Sequence, residues 1–321
     1  MSNQKLRLGV LLPTRGLLLG AQPPSNADQV LSLAEQVEAA GLDSVWVGDS
    51  LIAKPRLEPL ATLAAVAART QRVRLGTAVL LAGLRHPVLL AQTIATVDLI
   101  SKGRLVLAMG VGGAFNEEQK REWHTAGVIP SRRARRLEEI VQVVKGLGSG
   151  APVTFQGRDF HLDSVVMAPR PVQADGVPIL LACHWRAGRQ AQFQRAALLG
   201  DGFISISDTP DEYAQLVQRV RAMASDLGRD ADSLEAVMYL TVNVDPDVSR
   251  AQAEAEKYLM AYYGANIWGT RWGPFGGPDK VKRCLADYAA AGAQTLVVRF
   301  ASYEPDKQLD IFLRQVAPAF Q

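Results

Sequence analysis

The feature that most constrains this chain is an alternation. Apolar runs that read as strands are each followed, before the next, by a stretch whose apolar residues have helical spacing. The strands fall at 6–12, 44–47, 73–79, 104–109, 178–182, 202–206, 236–244 and 295–300. The helices fall at 28–40, 59–69, 88–100, 133–146, 188–199, 211–227, 249–263, 279–291 and 306–316. Such repetition pairs strands in parallel through right-handed crossovers. The strands are near-continuously apolar, as strands covered on both faces are. Eight strand–helix units in 321 residues predict a (β/α)8 TIM barrel rather than a doubly wound sheet, in one domain over residues 1–321. Three segments break the rhythm. Residues 114–131 are polar and read as a loop. Residues 152–172 alternate around Gln156-Gly157-Arg158 and predict a β-hairpin. Residues 264–277, rich in glycine and aromatics, predict a rim loop.

Composition excludes several classes. A hydrophobic content of 48% with 21% charged residues fits a soluble globular protein. No apolar run is long enough to span a membrane, and MSNQKLRLGV enters the first strand without a signal-peptide pattern. These point to a cytoplasmic protein without membrane partners. The net charge is +3, and the one dense basic cluster, SRRARR at 131–136, is followed by Glu138 and Glu139. That is a solvated helix start rather than a nucleic-acid surface. Cys183 and Cys284 give no disulfide framework, and His86, His124, His161 and His184 show no metal-ligand spacing.

In such barrels the site lies at the C-terminal ends of the strands. Those ends include Pro13-Thr14, Gly48-Asp49-Ser50, Thr77-Ala78-Val79, Gly110-Val111-Gly112-Gly113 and Cys183-His184-Trp185. By itself "GVGG" is a tight turn and not a dinucleotide fingerprint. Beside Gly76-Thr77-Ala78 it describes a floor without large side chains, on which a flat aromatic ligand can lie.

At residues 58–113, EPLATLAAVAARTQRVRLGTAVLLAGLRHPVLLAQTIATVDLISKGRLVLAMGVGG resembles the core of the bacterial luciferase-like oxidoreductases. APRPVQ at 168–173, LLGDGF at 198–203 and GGPDKVKRCLADYAAAG at 276–292 resemble later blocks of that family. The resemblance implies a barrel that binds reduced FMN or the deazaflavin coenzyme F420. It places the ring over Thr77, Ala78 and Val79, with a non-proline cis peptide at Ala78–Val79. Pro13, Gly110 and Gly112 join that cofactor rim. Asp49 falls where luciferases carry an acid, but Ser50 replaces their catalytic histidine and is no acid or base near neutral pH. Both are candidates for the reactive edge, and Asp49 reads equally well as a loop-capping carboxylate. Val111 stands where luciferases place a phosphate-binding arginine. After strand five, relatives usually open a helix with a Gly-Gly turn that offers amides to phosphate. Here Cys183, His184, Trp185 and Arg186 make a bulkier turn, so Arg186, Arg189 or Arg133 is expected to supply charge to the phosphate.

The segment YYGANIWGTRWGPF at 262–275 reads as a substrate lid or a packed contact, with Trp268, Trp272 and Phe275 as apolar walls. The expected activity is therefore a flavin monooxygenase using reduced FMN and O2 on a small apolar or aromatic substrate, supplied by a separate flavin reductase. The alternatives are F420-dependent hydride transfer and a non-catalytic flavin-binding barrel. A homodimer or higher homo-oligomer is expected. No metal is.

Overall fold

The structure, a computed structural model, describes residues 5–20, 22–265, 267 and 269–321. Its strands are β1 (Arg7–Leu11), β2 (Ser44–Val47), β3 (Arg74–Leu80), β4 (Leu105–Met109), the pair β5 (Val153–Gln156) and β6 (His161–Val165), β7 (Ile179–Ala182), β8 (Gly202–Ile206), β9 (Glu235–Val244), β10 (Phe275–Gly276) and β11 (Thr295–Phe300). The order β9-β11-β1-β2-β3-β4-β7-β8 is parallel throughout and closes through β8 against β9. Eight parallel strands thus form the expected barrel, and β5 and β6 form the expected antiparallel hairpin. Around it run α1 (Asp28–Ala39), α2 (Pro59–Arg69), α3 (Pro87–Ser101), α4 (Glu117–Thr125), α5 (Arg133–Gly148), α6 (Gln190–Leu199), α7 (Pro210–Asp226), α8 (Val248–Tyr263), α9 (Pro278–Ala290) and α10 (Pro305–Gln315). Among the described residues, no helix is long and apolar enough to cross a membrane.

Strand side chains alternate between two cores. Val45, Val47, Leu75 and Leu80 pack outward under the helices. Trp46, Ala78, Val106, Ala108, Leu180 and Val237 fill the barrel interior. Trp46 dominates the inner core. It is fully buried, its indole donates to Ser44 Oγ at 2.9 Å, and β3 makes room for it with Gly76. A β-carbon at Gly76 would overlap the indole ring.

Residues 117–125, expected as loop, form α4. Asn116 caps the helix by accepting from the Gln119 amide at 3.0 Å, and Glu117 and Glu118 sit at its positive end. The helix is too polar to show an apolar stripe, yet it buries Glu122 and Trp123. The segment 264–277 is not wholly irregular either, since it contains a 3-10 turn at Gly269–Arg271 and the two residues of β10.

Loops over the barrel are anchored by carboxylates that receive runs of backbone amides. Glu139 accepts from Arg158, Asp159 and Phe160 at the hairpin turn. Asp98 accepts from Val172 and Gln173, which docks the APRPVQ segment onto α3. Such groups supply acceptors that loop amides otherwise find only in water.

Gly76→Ala is expected to destabilise the fold by about 1–3 kcal/mol through overpacking against Trp46. Urea unfolding followed by indole fluorescence measures this, and an unchanged midpoint would contradict the packing described.

Candidate active site

At the C-terminal mouth a cavity of about 170 Å³ opens above the inner core. Ala78 and Val79 of β3 form one side, joined by a cis peptide. Ala182 and His184 follow from β7, Ile204, Ser205 and Ile206 from β8, and Tyr239 and Tyr263 close the far side. Gly110 lies against Val79, where a β-carbon would sit only 2.7 Å from Val79 Cγ2. The glycine at the end of β4 is therefore a steric requirement. Gly112 has a left-handed φ of 74° and faces Trp123.

The expected site residues divide. Ala78, Val79 and His184 line the cavity. Thr77 does not, because its hydroxyl is buried and donates to the Ala108 carbonyl at 2.9 Å. Pro13 lies on another flank, beside Tyr258, Tyr262 and Arg299. Cys183 points into the outer core, where burial pushes its thiol well above the usual range. Adjacent strand residues face opposite ways, which is why His184 lines the cavity and Cys183 does not. Trp185 stacks on Phe193 of α6 with ring centroids 5.8 Å apart, outside the cavity.

Asp49 and Ser50 are committed elsewhere. Asp49 accepts from the Leu81 amide at 2.9 Å and from Arg85 Nη1 and Nη2 at 2.5 and 3.2 Å. It ties the end of β2 to the loop after β3, the loop-anchoring reading. Ser50 Oγ donates to Glu122 Oε1 at 2.6 Å, and that oxygen also accepts from the amides of Leu51, Ile52 and Ala53. Neither residue lines the cavity, which replaces their expected place at the reactive edge. Glu122 escaped the sequence reading because α4 did.

The turn after β7 is also internally satisfied. Asp208 accepts from the amides of Trp185 and Arg186 at 2.8 and 3.3 Å and from Ser205 Oγ at 2.6 Å. A carboxylate of the protein thus occupies the amides of this turn. Ser205 Oγ lies 3.2 Å from His184 Nδ1, and that nitrogen accepts from the Ile206 amide at 3.3 Å. Burial lowers the pKa of His184 against the opposing pull of Asp208, so the imidazole is neutral at neutral pH. With Nδ1 accepting, the ring proton sits on Nε2.

Arg133 donates to the carbonyls of Gly112 and Pro130 at 3.1 and 2.7 Å. Neither it nor Arg189 has a carboxylate within 4 Å among the described residues, and desolvation together with Arg189 lowers its pKa. Trp272 and Phe275 line a separate outer groove of about 680 Å³ with Asp208 and Arg271. Trp272 stacks on Tyr263 at 5.4 Å and so stands between groove and cavity. Trp268 lies outside the described residues.

The sequence profile described as luciferase-like monooxygenase matches residues 6–302. The chain belongs to that family. Among its curated relatives, the F420-dependent glucose-6-phosphate dehydrogenase of Nakamurella multipartita is 34% identical, with 90% of this chain and 91% of the relative aligned. Among solved structures, an F420-dependent secondary alcohol dehydrogenase with an F420–acetone adduct superposes with a TM-score of 0.79 at 22% identity, covering 99% of each chain. A monooxygenase from Streptomyces bottropensis reaches 0.81 at 22% identity, covering 98% of this chain and 100% of the other. These two structures establish the shared barrel. The protein is a luciferase-like oxidoreductase, and within this fold the strand-end cavity is the candidate active site.

Asp208→Ala would remove the carboxylate that accepts from two part-buried amides and from the Ser205 hydroxyl, at a total cost of about 1–3 kcal/mol. A lower thermal midpoint and a further drop in the His184 pKa by histidine NMR are the expected results. A His184 titration identical to wild type would break the link drawn here.

Proposed function

We propose that this protein is an F420-dependent oxidoreductase that moves hydride between the deazaflavin and a carbon bearing oxygen. The cavity floored by Ala78 and Val79 carries the proposal. Its fit to a flat ring rests on the same place. Ala78 and Ala182 are small, and Gly110 behind them carries no side chain that would push Val79 into the cavity. The relative from Nakamurella multipartita, F420-dependent by name, favours the deazaflavin over the reduced FMN expected from sequence. With F420, no separate FMN reductase is required.

When bound, the deazaflavin supplies a two-electron hydride couple, and the protein supplies position and a dry surrounding. Ala78 and Val79 would support the ring. Arg133 and Arg189, without carboxylate partners, would hold the negatively charged side chain that leaves it. The amides after β7 are held by Asp208 and would contribute less than a Gly-Gly turn. Glucose 6-phosphate, the substrate in the relative's name, is not carried over. Ser50 stands where luciferases carry histidine and is bonded to Glu122, so proton transfer must come from other groups. Ile204, Ile206, Tyr239 and Tyr263 favour an alcohol or ketone with apolar flanks.

Titration of the purified protein with F420 and with oxidised and reduced FMN tests the cofactor. F420 is expected to bind at least about tenfold more tightly than either form of FMN, and Arg133→Ala to weaken F420 by about tenfold, the scale of one charge-assisted hydrogen bond. Preferential binding of reduced FMN, with O2-dependent product formation, would overturn the reading.

A further inference from the structure

Arg299 near the end of β11 is 2% exposed, and among the described residues no carboxylate lies within 4 Å of it. A buried cation without a counter-ion is costly, and surroundings that tolerate one are specialised. Its guanidinium sits 4.7 Å from the ring centroid of Tyr262, 5.2 Å from that of Tyr263 and 5.0 Å from that of Trp272. Nη1 donates to Tyr263 Oη at 2.7 Å and Nη2 to Thr241 Oγ1 at 2.7 Å, while Nε has no partner. A phenol oxygen that accepts from a guanidinium still has its own hydrogen to give. Among the described residues nothing accepts the hydrogen of Tyr263, and Tyr263 lines the cavity. In the closed strand order β3 and β9 are four strands apart, on opposite sides of the barrel. Tyr239 of β9, and Tyr263 at the end of the helix that follows it, therefore face the Ala78–Val79 floor across the space.

We propose that Tyr263 gives a proton to the oxygen of a carbonyl substrate in this cavity, with Arg299 as its positioning residue. The proposal rests on the hydride-transfer reading above for the second half of the chemistry. A reduced deazaflavin held on this floor would supply the hydride: its own C–H bond would break, it would be oxidised by two electrons, and the C–H bond to the carbonyl carbon would form. The π pair moves to oxygen, the Tyr263 O–H bond breaks, and the alcohol O–H bond forms. Arg299 stabilises the phenolate until water returns the proton. Alcohol oxidation runs the same path backwards. Before reaction Tyr263 holds its proton at neutral pH, since burial raises its pKa against the pull of Arg299.

Two arms test this on the full chain. In the first, protein labelled with 13C at the tyrosine ζ carbon is titrated with acetone, cyclohexanone and acetophenone without cofactor. The resonance lost in Tyr263→Phe is expected to shift with at least one ketone. In Arg299→Lys, which keeps the charge and loses the two-pronged donor, it is expected to move before any ketone is added. A Tyr263 resonance unmoved by all three ketones overturns the proposal. Should Tyr263→Phe fail to accumulate, Tyr239→Phe and Tyr262→Phe, whose rings also face Arg299, assign the remaining resonance displaced in Arg299→Lys to Tyr263. In the second arm, F420-loaded Tyr263→Phe is expected to lose roughly 100-fold or more in kcat with F420 affinity within about twofold of wild type, the scale of a lost general acid. Wild-type rates in that variant overturn the role of Tyr263 alone. A wild-type enzyme that binds F420 but reduces no ketone overturns the hydride-transfer reading, and the NMR arm still decides for Tyr263.

Discussion

A buried carboxylate must find donors, and a loop over a closed barrel must find acceptors. This chain resolves both demands with the same bonds. Glu122 gathers three consecutive amides and the Ser50 hydroxyl on one oxygen. Glu139 holds three amides of the hairpin, and Asp208 holds two of the turn after β7. The ionised acceptor makes these bonds stronger than neutral ones and fixes loops that have little apolar surface of their own. Of these, Asp208 lies nearest the cavity, since it fixes the turn that follows His184 and holds the Ser205 hydroxyl. Glu122, Glu139 and Asp208 are therefore scaffold, each spent on the amides of its own loop.

The barrel interior completes the picture from below. Trp46 occupies the space that β3 yields at Gly76, so the lower barrel is solid. Two residues further along β3 the inward position carries only the methyl of Ala78, no neighbouring indole covers it, and the interior opens. A large side chain low and small ones high turn a packed cylinder into a cup without altering strand number or order.

Much of the fold was legible because it is written in apolar periodicity. All eight barrel strands, and helices such as Pro59–Arg69, fall where that periodicity puts them. The helix at Glu117–Thr125 was not legible, since it is held by a cap and one buried carboxylate rather than by an apolar stripe. The floor at Ala78 and Val79 was legible from small residues and a family likeness. The roles of Asp49 and Ser50 were not, because partners 36 and 72 residues away decide them. Arg299 was legible only as one of the strand ends. An arginine inside VVRF reads as a strand residue, and only the rings gathered around it in space mark it as unusual.

The ten-residue β9 outruns its neighbour β8, and its upper end takes up β10 in parallel. The Asn243 amide donates to Pro274 and that of Asp245 to Gly276, while Thr241 bridges to Gly273. The segment expected as a substrate lid or a packed contact is thus stitched into the wall from Gly273 onward. The rim there is continuous with the sheet, a fixed jamb that belongs to the barrel wall.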